Sequence, residues 1–201
     1  MSDLAGRIAA NVRLARSEPL WRVSMVARVT ALRRRRQFAS FGRGSIIYRP
    51  DWLYGTHSIV IGEGVLVMPG AWLAVELQAL GRDPALHIGD RVAMRTNCTI
   101  SAAESIVLED DVVLGGGVTV IDSDHTWDAG NPNVLYNPLV TAPVRIGRGS
   151  WVGDRATVLR GSDVGEFCMI GAGSVVRGVI PDHSVAVGSP ARVVGSTRAP
   201  I

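Results

Sequence analysis

The chain of 201 residues lacks the features that mark membrane-spanning, secreted and metal-binding proteins. Its only cysteines, Cys98 and Cys168, are far apart in sequence and fit no disulfide or metal motif. No apolar run approaches the roughly 18 residues that a membrane span needs. The N-terminus has no apolar core of a signal peptide. We therefore expect one cytoplasmic domain with a small appendage and no bound metal.

Positive charge is concentrated at the start of the chain. Residues 1–43 hold ten arginines against Asp3 and Glu18, hence a charge of +8, whereas the rest of the chain carries −5. The main body therefore has no basic excess, and we expect no nucleic-acid partner.

Apolar residues in this basic segment follow a helical spacing. They fall into two sets: Leu4, Ile8, Val12 and Ala15, then Trp21, Met25, Val29 and Leu32. The pattern predicts two amphipathic helices within residues 1–43. They either cap the open end of the following domain or lie on the inner face of the membrane as a peripheral contact.

Residues 44–201 repeat with a period of six. Every sixth residue is aliphatic in three runs: Ile61, Val67 and Leu73; Ile88, Met94, Ile100 and Ile106, resuming at Leu108, Leu114 and Val120; and Ile146, Val152, Val158, Val164, Ile170 and Val176. Helices repeat every 3.6 residues and strands every two, so this period indicates short strands joined by tight corners. Three hexads form one triangular coil, and coils stack at about 4.8 Å. The sequence predicts an all-β fold, a parallel β-helix, whose hand the period does not fix.

Two segments leave the repeat, residues 75–86 and residues 122–143. The second is rich in Gly, Asn and Pro and predicts an exposed loop. A long loop within a regular repeat usually has a functional reason, and His125 lies where this loop begins.

The C-terminal half carries three motifs in a specific order. They are Val144-Arg-Ile-Gly-Arg-Gly-Ser-Trp-Val-Gly153, Ile170-Gly-Ala-Gly-Ser-Val-Val176 and Gly188-Ser-Pro-Ala-Arg192, and the loop contributes Asp122-Ser-Asp-His125. This set resembles the maltose and galactoside O-acetyltransferases of the hexapeptide-repeat superfamily, and more closely the polysaccharide O-acetyltransferases. The resemblance implies a left-handed β-helix, a homotrimer with active sites between subunits, and acetyl-CoA as co-substrate. The implied acceptor is a hydroxyl of a sugar or of a cell-surface glycan or glycolipid precursor.

His125 matches the catalytic histidine of that family. An imidazole can accept the proton of a sugar hydroxyl while the oxygen attacks a thioester carbonyl. Asp122 and Asp124 either orient this ring, as a carboxylate does in a triad, or bond to their own backbone.

The same resemblance implies the positions that bind the donor. Trp151 matches a tryptophan that contacts the pantetheine arm, and the backbone amide of Asp154 matches the oxyanion donor. The full set of implied donor contacts is Trp151, Gly153, Asp154, Gly171, Ala172, Arg177, Pro190 and Arg192. The family's Thr-Lys pair is replaced by Arg177-Gly178, so the phosphate contacts differ here.

Four residues are candidates for acceptor binding. Arg95 stands where the family has an asparagine, and Asn97 lies two residues on. Trp127 and Tyr136 are loop aromatics that either stack on a sugar or cover a neighbouring subunit.

Other functions were weighed against this one. A γ-type carbonic anhydrase needs a His-x4-His pair, which the spacing of His87, His125 and His183 excludes. A serine acetyltransferase is not favoured, because this sequence has no counterpart to the catalytic motif of that enzyme. A non-catalytic scaffold, or N-acetylation of an amino sugar or antibiotic-type acceptor, stays open.

Overall fold

The aliphatic residues of the hexads form the core of a three-sided parallel β-helix. The structure, a computed structural model, describes residues 34–76, 85–127, 131 and 133–198. All sixteen hexad aliphatics named above are at most 1% exposed. The small residues four positions later also point inward, as do Cys98 and Cys168. The predicted core is therefore confirmed.

Each coil contributes one short strand to each of three sheets. Sheet A contains β1 (Ser40–Phe41), β4 (Ile59–Ile61), β7 (Leu86–Ile88), β10 (Ile106–Leu108), β15 (Val144–Ile146), β18 (Asp163–Val164) and β21 (Val179–Ile180). Sheet B contains β2 (Ile46–Ile47), β5 (Leu66–Val67), β8 (Ala93–Met94), β11 (Val113–Leu114), β16 (Trp151–Val152), β19 (Met169–Ile170), β22 (Ser184–Gly188) and β23 (Ala191–Ser196). Sheet C contains β3 (Trp52–Tyr54), β6 (Trp72–Val75), β9 (Thr99–Ala102), β12 (Thr119–Ile121), β17 (Thr157–Val158) and β20 (Val175–Val176).

The chain passes from sheet A to B to C and then rises to the next coil. Strands on successive coils pair in parallel with hexad residues in register, as in Met94 beside Leu114 and Leu114 beside Val152. The exception is β23, which turns back and pairs antiparallel with β22.

Carboxylates tie successive coils together at the corners. Oδ1 of Asp90 accepts the backbone N–H of Glu63 at 2.8 Å, and Oδ1 of Asp110 accepts that of Asp90 at 2.9 Å. Each acceptor lies one coil beyond its donor, so the corner amides of one coil are satisfied by side chains of the next.

The interruption at residues 122–143 is more ordered than predicted. It contains an antiparallel hairpin of β13 (Ser123–His125) and β14 (Leu139–Thr141), with a 3₁₀ turn at Val134–Tyr136. The sequence did not indicate these strands, because neither face of the hairpin is buried and no alternation of apolar residues marks them. The hairpin leaves the β-helix at the corner between sheets C and A. Residues 77–84 of the other interruption lie outside the described residues.

The β-helix begins earlier than the predicted boundary at residue 44. Strand β1 (Ser40–Phe41) already pairs with β4, and a 3₁₀ turn at Arg35–Gln37 precedes it; another spans Thr56–Ser58. Phe41, Ile47 and Leu53 continue the six-residue spacing into the first coil. Ile47 belongs to the buried core, and Phe41 and Leu53 are partly buried and pack against it. The two predicted amphipathic helices fall on residues 1–33 and so lie outside the described residues. Within the described part of the chain, no helix has the length and hydropathy to cross a membrane.

Candidate active site

His125 ends strand β13 and its ring is oriented by a backbone carbonyl. Its Nδ1 lies 3.3 Å from the carbonyl oxygen of Asn137. A carbonyl oxygen only accepts hydrogen bonds, so this contact requires the proton on Nδ1 and leaves the Nε2 lone pair free. Asn137 is itself held, because it is buried and its Nδ2 donates to the carbonyl of Thr126 at 2.9 Å. The hairpin thus presents an exposed imidazole in the tautomer that a general base needs.

Asp122 anchors the hairpin and does not orient the His125 ring. It is fully buried, and its carboxylate accepts three backbone N–H groups of the preceding coil, from Ala103 at 2.7 Å and from Glu104 and Ser105 at 2.8 Å. Burial raises the pKa of this carboxyl, and the three amides oppose that shift.

Asp124 is also engaged elsewhere, since its Oδ2 accepts from Nε of Arg160 at 2.6 Å. The predicted contact between these two aspartates and His125 is therefore corrected: the Asn137 carbonyl takes that place.

A groove of about 640 Å³ runs along the corner between sheets B and C. It is lined by Thr96, Asn97, Gly116, Gly117, Asp154, Arg155, Ala172 and Gly173. It brings together Asn97, predicted for the acceptor, and Asp154 and Ala172, predicted for the donor. The other lining residues were missed. These residues share one place in the repeat, two or three positions after the inward aliphatic residue of a sheet B strand. That shared place is the sequence pattern that could have identified them.

The backbone N–H of Asp154 is available in this groove. Its carboxylate accepts the N–H of Gly116 at 2.8 Å, in the same cross-coil pattern as Asp90 and Asp110. The next residue in this column is Ala172, which has no carboxylate. Within the described residues no acceptor faces the Asp154 N–H. An unpaired amide beside a groove can stabilise a negative oxygen.

Trp151 points outward from sheet B, as predicted, with 45% of its surface exposed. It borders a second cavity of about 390 Å³, whose other walls include Phe167, Met169 and His183. The Phe167 and His183 rings stack with centroids 5.3 Å apart.

The two predicted glycines serve packing and not the groove. A Cβ on Gly171 would lie 2.7 Å from Cγ1 of Val187, and one on Gly153 would lie 2.6 Å from the backbone nitrogen of Ala172. Their small size lets neighbouring strands and coils approach. Gly171 does not line the groove, and its implied place in the donor channel stays a prediction.

The remaining predicted donor residues are not among those that line the groove. Arg177 is exposed after β20, at the corner between sheets C and A. Pro190 and Arg192 are exposed at the turn from β22 into β23, and Nη1 of Arg192 donates to the carbonyl of Ala191 at 2.9 Å. In register, Gly188 stands one coil beyond the groove residue Ala172, so the turn with Pro190 continues the corner of the groove, whereas Arg177 stands at a different corner.

The remaining acceptor candidates are exposed. Arg95 directly precedes the groove residue Thr96. Trp127 and Tyr136 stand on the hairpin with 77% and 75% of their surfaces exposed. Within the described residues, no group of three or more His, Cys, Asp or Glu side chains is placed to hold a metal.

The groove and the hairpin therefore lie at opposite edges of sheet C. A strand with its corners spans about five residues, or roughly 16 Å at 3.3 Å per residue. No hydrogen bond or ion pair among the described residues joins the hairpin to the groove.

Comparison with known proteins places the chain in a family. Residues 143–178 match the family model of the bacterial transferase hexapeptide, six repeats. The chain is 30% identical over 156 residues to the Escherichia coli K12 protein WbbJ, whose provisional name is a lipopolysaccharide biosynthesis O-acetyl transferase; the match covers 74% of this chain and 77% of WbbJ. Three other curated relatives match over a shorter stretch, and the chain spans 37% to 54% of their length. The chain therefore belongs to the hexapeptide-repeat acyltransferases.

Solved structures agree with this assignment. A maltose O-acetyltransferase from Clostridium difficile 630 superimposes with a TM-score of 0.59 and 28% identity, covering 72% of this chain and 70% of that one. A galactoside acetyltransferase in complex with coenzyme A gives a TM-score of 0.59 at 27% identity, with 69% and 64% covered. The predicted fold class, a left-handed parallel β-helix, and the resemblance to these acetyltransferases are confirmed.

Proposed function

We propose that the protein transfers an acetyl group from acetyl-CoA to a hydroxyl of a sugar, or of a cell-surface glycan or glycolipid precursor. The observation that carries this proposal is the His125 ring, whose Nδ1 faces the Asn137 carbonyl while Nε2 stays free. Supporting it are the match to WbbJ and the coenzyme A complex of the galactoside acetyltransferase.

The reaction needs one proton carrier and one oxyanion donor. Nε2 of His125 accepts the hydroxyl proton as the acceptor oxygen attacks the thioester carbonyl. The negative charge that develops on that carbonyl oxygen is stabilised by the Asp154 N–H. When the intermediate collapses, the C–S bond breaks and the leaving thiolate takes the proton from the imidazolium. The products are the acetyl ester and free coenzyme A, and no covalent enzyme intermediate forms.

The donor lies along the groove between sheets B and C in this proposal. Small residues there, Ala172 and Gly173, let the pantetheine arm approach the backbone. Trp151 offers an exposed apolar surface on the outer side of sheet B, at the second cavity. The exposed arginines Arg177 and Arg192 suit the phosphates, because a guanidinium binds them through paired N–H groups.

The active site is completed by a second chain. The hairpin with His125 and the groove with Asp154 stand at opposite edges of sheet C, so the histidine of one chain serves the groove of the next. A closed ring of three identical chains repeats this contact three times.

The principal test is the substitution His125→Ala. Coenzyme A release is measured with a thiol reagent, using acetyl-CoA and a panel of neutral and amino sugars. Loss of a general base lowers kcat by about 10²–10⁴-fold. His57→Ala is the matched control, because His57 is exposed and lies far from the hairpin in sequence. A His125→Ala rate near that of wild type contradicts the mechanism.

The same panel decides between O- and N-acetylation. An ester product releases its acetyl group to neutral hydroxylamine, whereas an amide product does not. An amide on an amino sugar would overturn the hydroxyl acceptor while leaving His125 as the base.

Mixed trimers test whether the site is shared between chains. His125→Ala supplies an intact groove, and Ala172→Trp fills the groove but keeps the histidine. If the two inactive chains assemble at random in equal amounts, about a quarter of the sites combine the intact halves. Activity that stays at the background of the separate variants would show that each chain holds a complete site.

A further inference from the structure

Sheet C has an uncharged outward column that begins with exposed aromatic residues. Its outward column on successive coils consists of Trp52, Trp72, Thr99, Thr119, Thr157 and Val175. The outward column of sheet A differs, because it includes Arg145 and Asp163, which form an ion pair at 2.9 Å. This difference makes sheet C better suited than sheet A to burial against another protein surface. It does not separate sheet C from sheet B, whose outward column is uncharged as well.

A tryptophan pair stands at the N-terminal end of this face. The rings of Trp52 and Trp72 stack with centroids 5.4 Å apart and an interplanar angle of 24°. Even so, 48% of Trp52 and 44% of Trp72 remain exposed, and Tyr54 beside them is 38% exposed. Such an aromatic cluster on a rigid sheet is typical of an interface that a partner covers.

The positions of the two halves of the active site decide which face meets the partner. In a ring of three prisms, the face turned toward the threefold axis has its two edges next to the neighbouring chains. The edges of sheet C carry the groove at one side and the His125 hairpin at the other. With sheet A or sheet B toward the axis, one of these two halves would be turned away from the adjoining chain.

We propose that sheet C faces the threefold axis and that Trp52 and Trp72 of three chains form a cluster of six tryptophans there. This rests on the proposed function, because it uses the two halves of that active site. The partner is a second and third copy of the same chain. The threonines at the level of the site are smaller than tryptophan, so the sheets approach closely there, while the tryptophans fill the axis at the first two coils.

The first test is the molar mass of the double variant Trp52→Ala/Trp72→Ala. Analytical ultracentrifugation at micromolar concentration should show a trimer for wild type and a shift to smaller species for the variant. Leu66→Ala on sheet B and Val179→Ala on sheet A are matched controls, because both residues are exposed and apolar. Both controls should stay trimeric.

A cross-linking experiment covers the case in which the double variant fails to fold. Thr119→Cys places a thiol on sheet C, and Val113→Cys places one on sheet B in the same coil. The native thiols of Cys98 and Cys168 are buried. A short bismaleimide should link Thr119→Cys chains into covalent dimers, because each chain offers one accessible thiol, and should leave Val113→Cys chains as single species.

The opposite result overturns the proposal. That result is cross-linking through Val113→Cys instead of Thr119→Cys, a trimer that survives loss of both tryptophans, or a monomeric wild type. None of these measurements needs acetyl transfer, so a wrong interface is distinguishable from a wrong activity. An inactive panel with intact Thr119→Cys cross-linking would reject the proposed function and keep the interface.

Discussion

Substitution of Asp122 by alanine separates an anchoring role from a catalytic one. The buried carboxylate accepts three backbone N–H groups at 2.7 to 2.8 Å. Removing it leaves these donors without a partner, at about 1–3 kcal/mol each. Two effects reduce the sum: water can enter the space, and burial already disfavours the charged carboxylate, as its raised pKa indicates. We expect a net loss of about 2–4 kcal/mol in the free energy of unfolding.

Thermal unfolding followed by circular dichroism measures this loss. For a chain of this size about 2–4 °C of Tm accompanies each kcal/mol, so Tm should fall by roughly 5–15 °C. All variants are compared at one protein concentration, because assembly makes Tm depend on concentration. Activity well below the melting range should stay within about tenfold of wild type, since Asp122 does not touch the ring that transfers the proton.

Asp124→Ala is the matched control for this experiment. Asp124 lies on the same hairpin but is partly exposed and pairs with Arg160 at the surface. Such a pair contributes less than about 1 kcal/mol. The reasoning is refuted if Asp122→Ala shifts Tm by less than about 2 °C, the lower end of a 1 kcal/mol change, yet loses as much activity as His125→Ala.

Two further predictions concern the core and the corner. Burial raises the pKa of Cys98 from 9.0 to about 11, so the unfolded chain loses this proton first and stability falls by about 2–3 kcal/mol as pH rises from 9 to 11. Urea unfolding of Cys98→Ala should show a shallower slope, which the raised pKa of buried Cys168 keeps above zero, and an equal slope in both proteins would refute the assignment. Gly171→Ala should lower Tm through contact with Val187, at about 1–3 kcal/mol, but leave the KM for acetyl-CoA unchanged; a raised KM with an unchanged Tm would place Gly171 in the donor channel.

The periodic part of the fold was predictable because each hexad contains its own aliphatic residue, which points inward whatever the other hexads contain. The run from Ile146 to Val176 shows the period without interruption, and all its members are buried. The first strand was missed although Phe41 keeps the spacing with Ile47 and Leu53, because Phe41 is aromatic where the other hexads have an aliphatic residue. The hairpin strands were missed because a short polar segment carries no burial pattern.

The candidate site was only partly predictable because its contacts join distant residues. The histidine and the oxyanion position followed from motifs in the sequence. The Asp154 carboxylate, however, binds an amide 38 residues earlier, and the Asp122 carboxylate binds amides 17 to 19 residues earlier. Their partners depend on how coils stack, which no local pattern states. The same holds for the groove, whose lining comes from four separate coils.

The stacking of coils has a chemical consequence at Ala172, which has no carboxylate to accept the N–H of Asp154. In stacked coils, the residue at the same position of the next coil decides whether a corner N–H is hydrogen-bonded or available to a ligand. An aspartate at 172, acting as Asp154 acts on Gly116, would bond the Asp154 amide, to which we assign the oxyanion. A small residue at this position of the repeat therefore identifies the coil that carries the proposed site, as the proposed reacting residues themselves do.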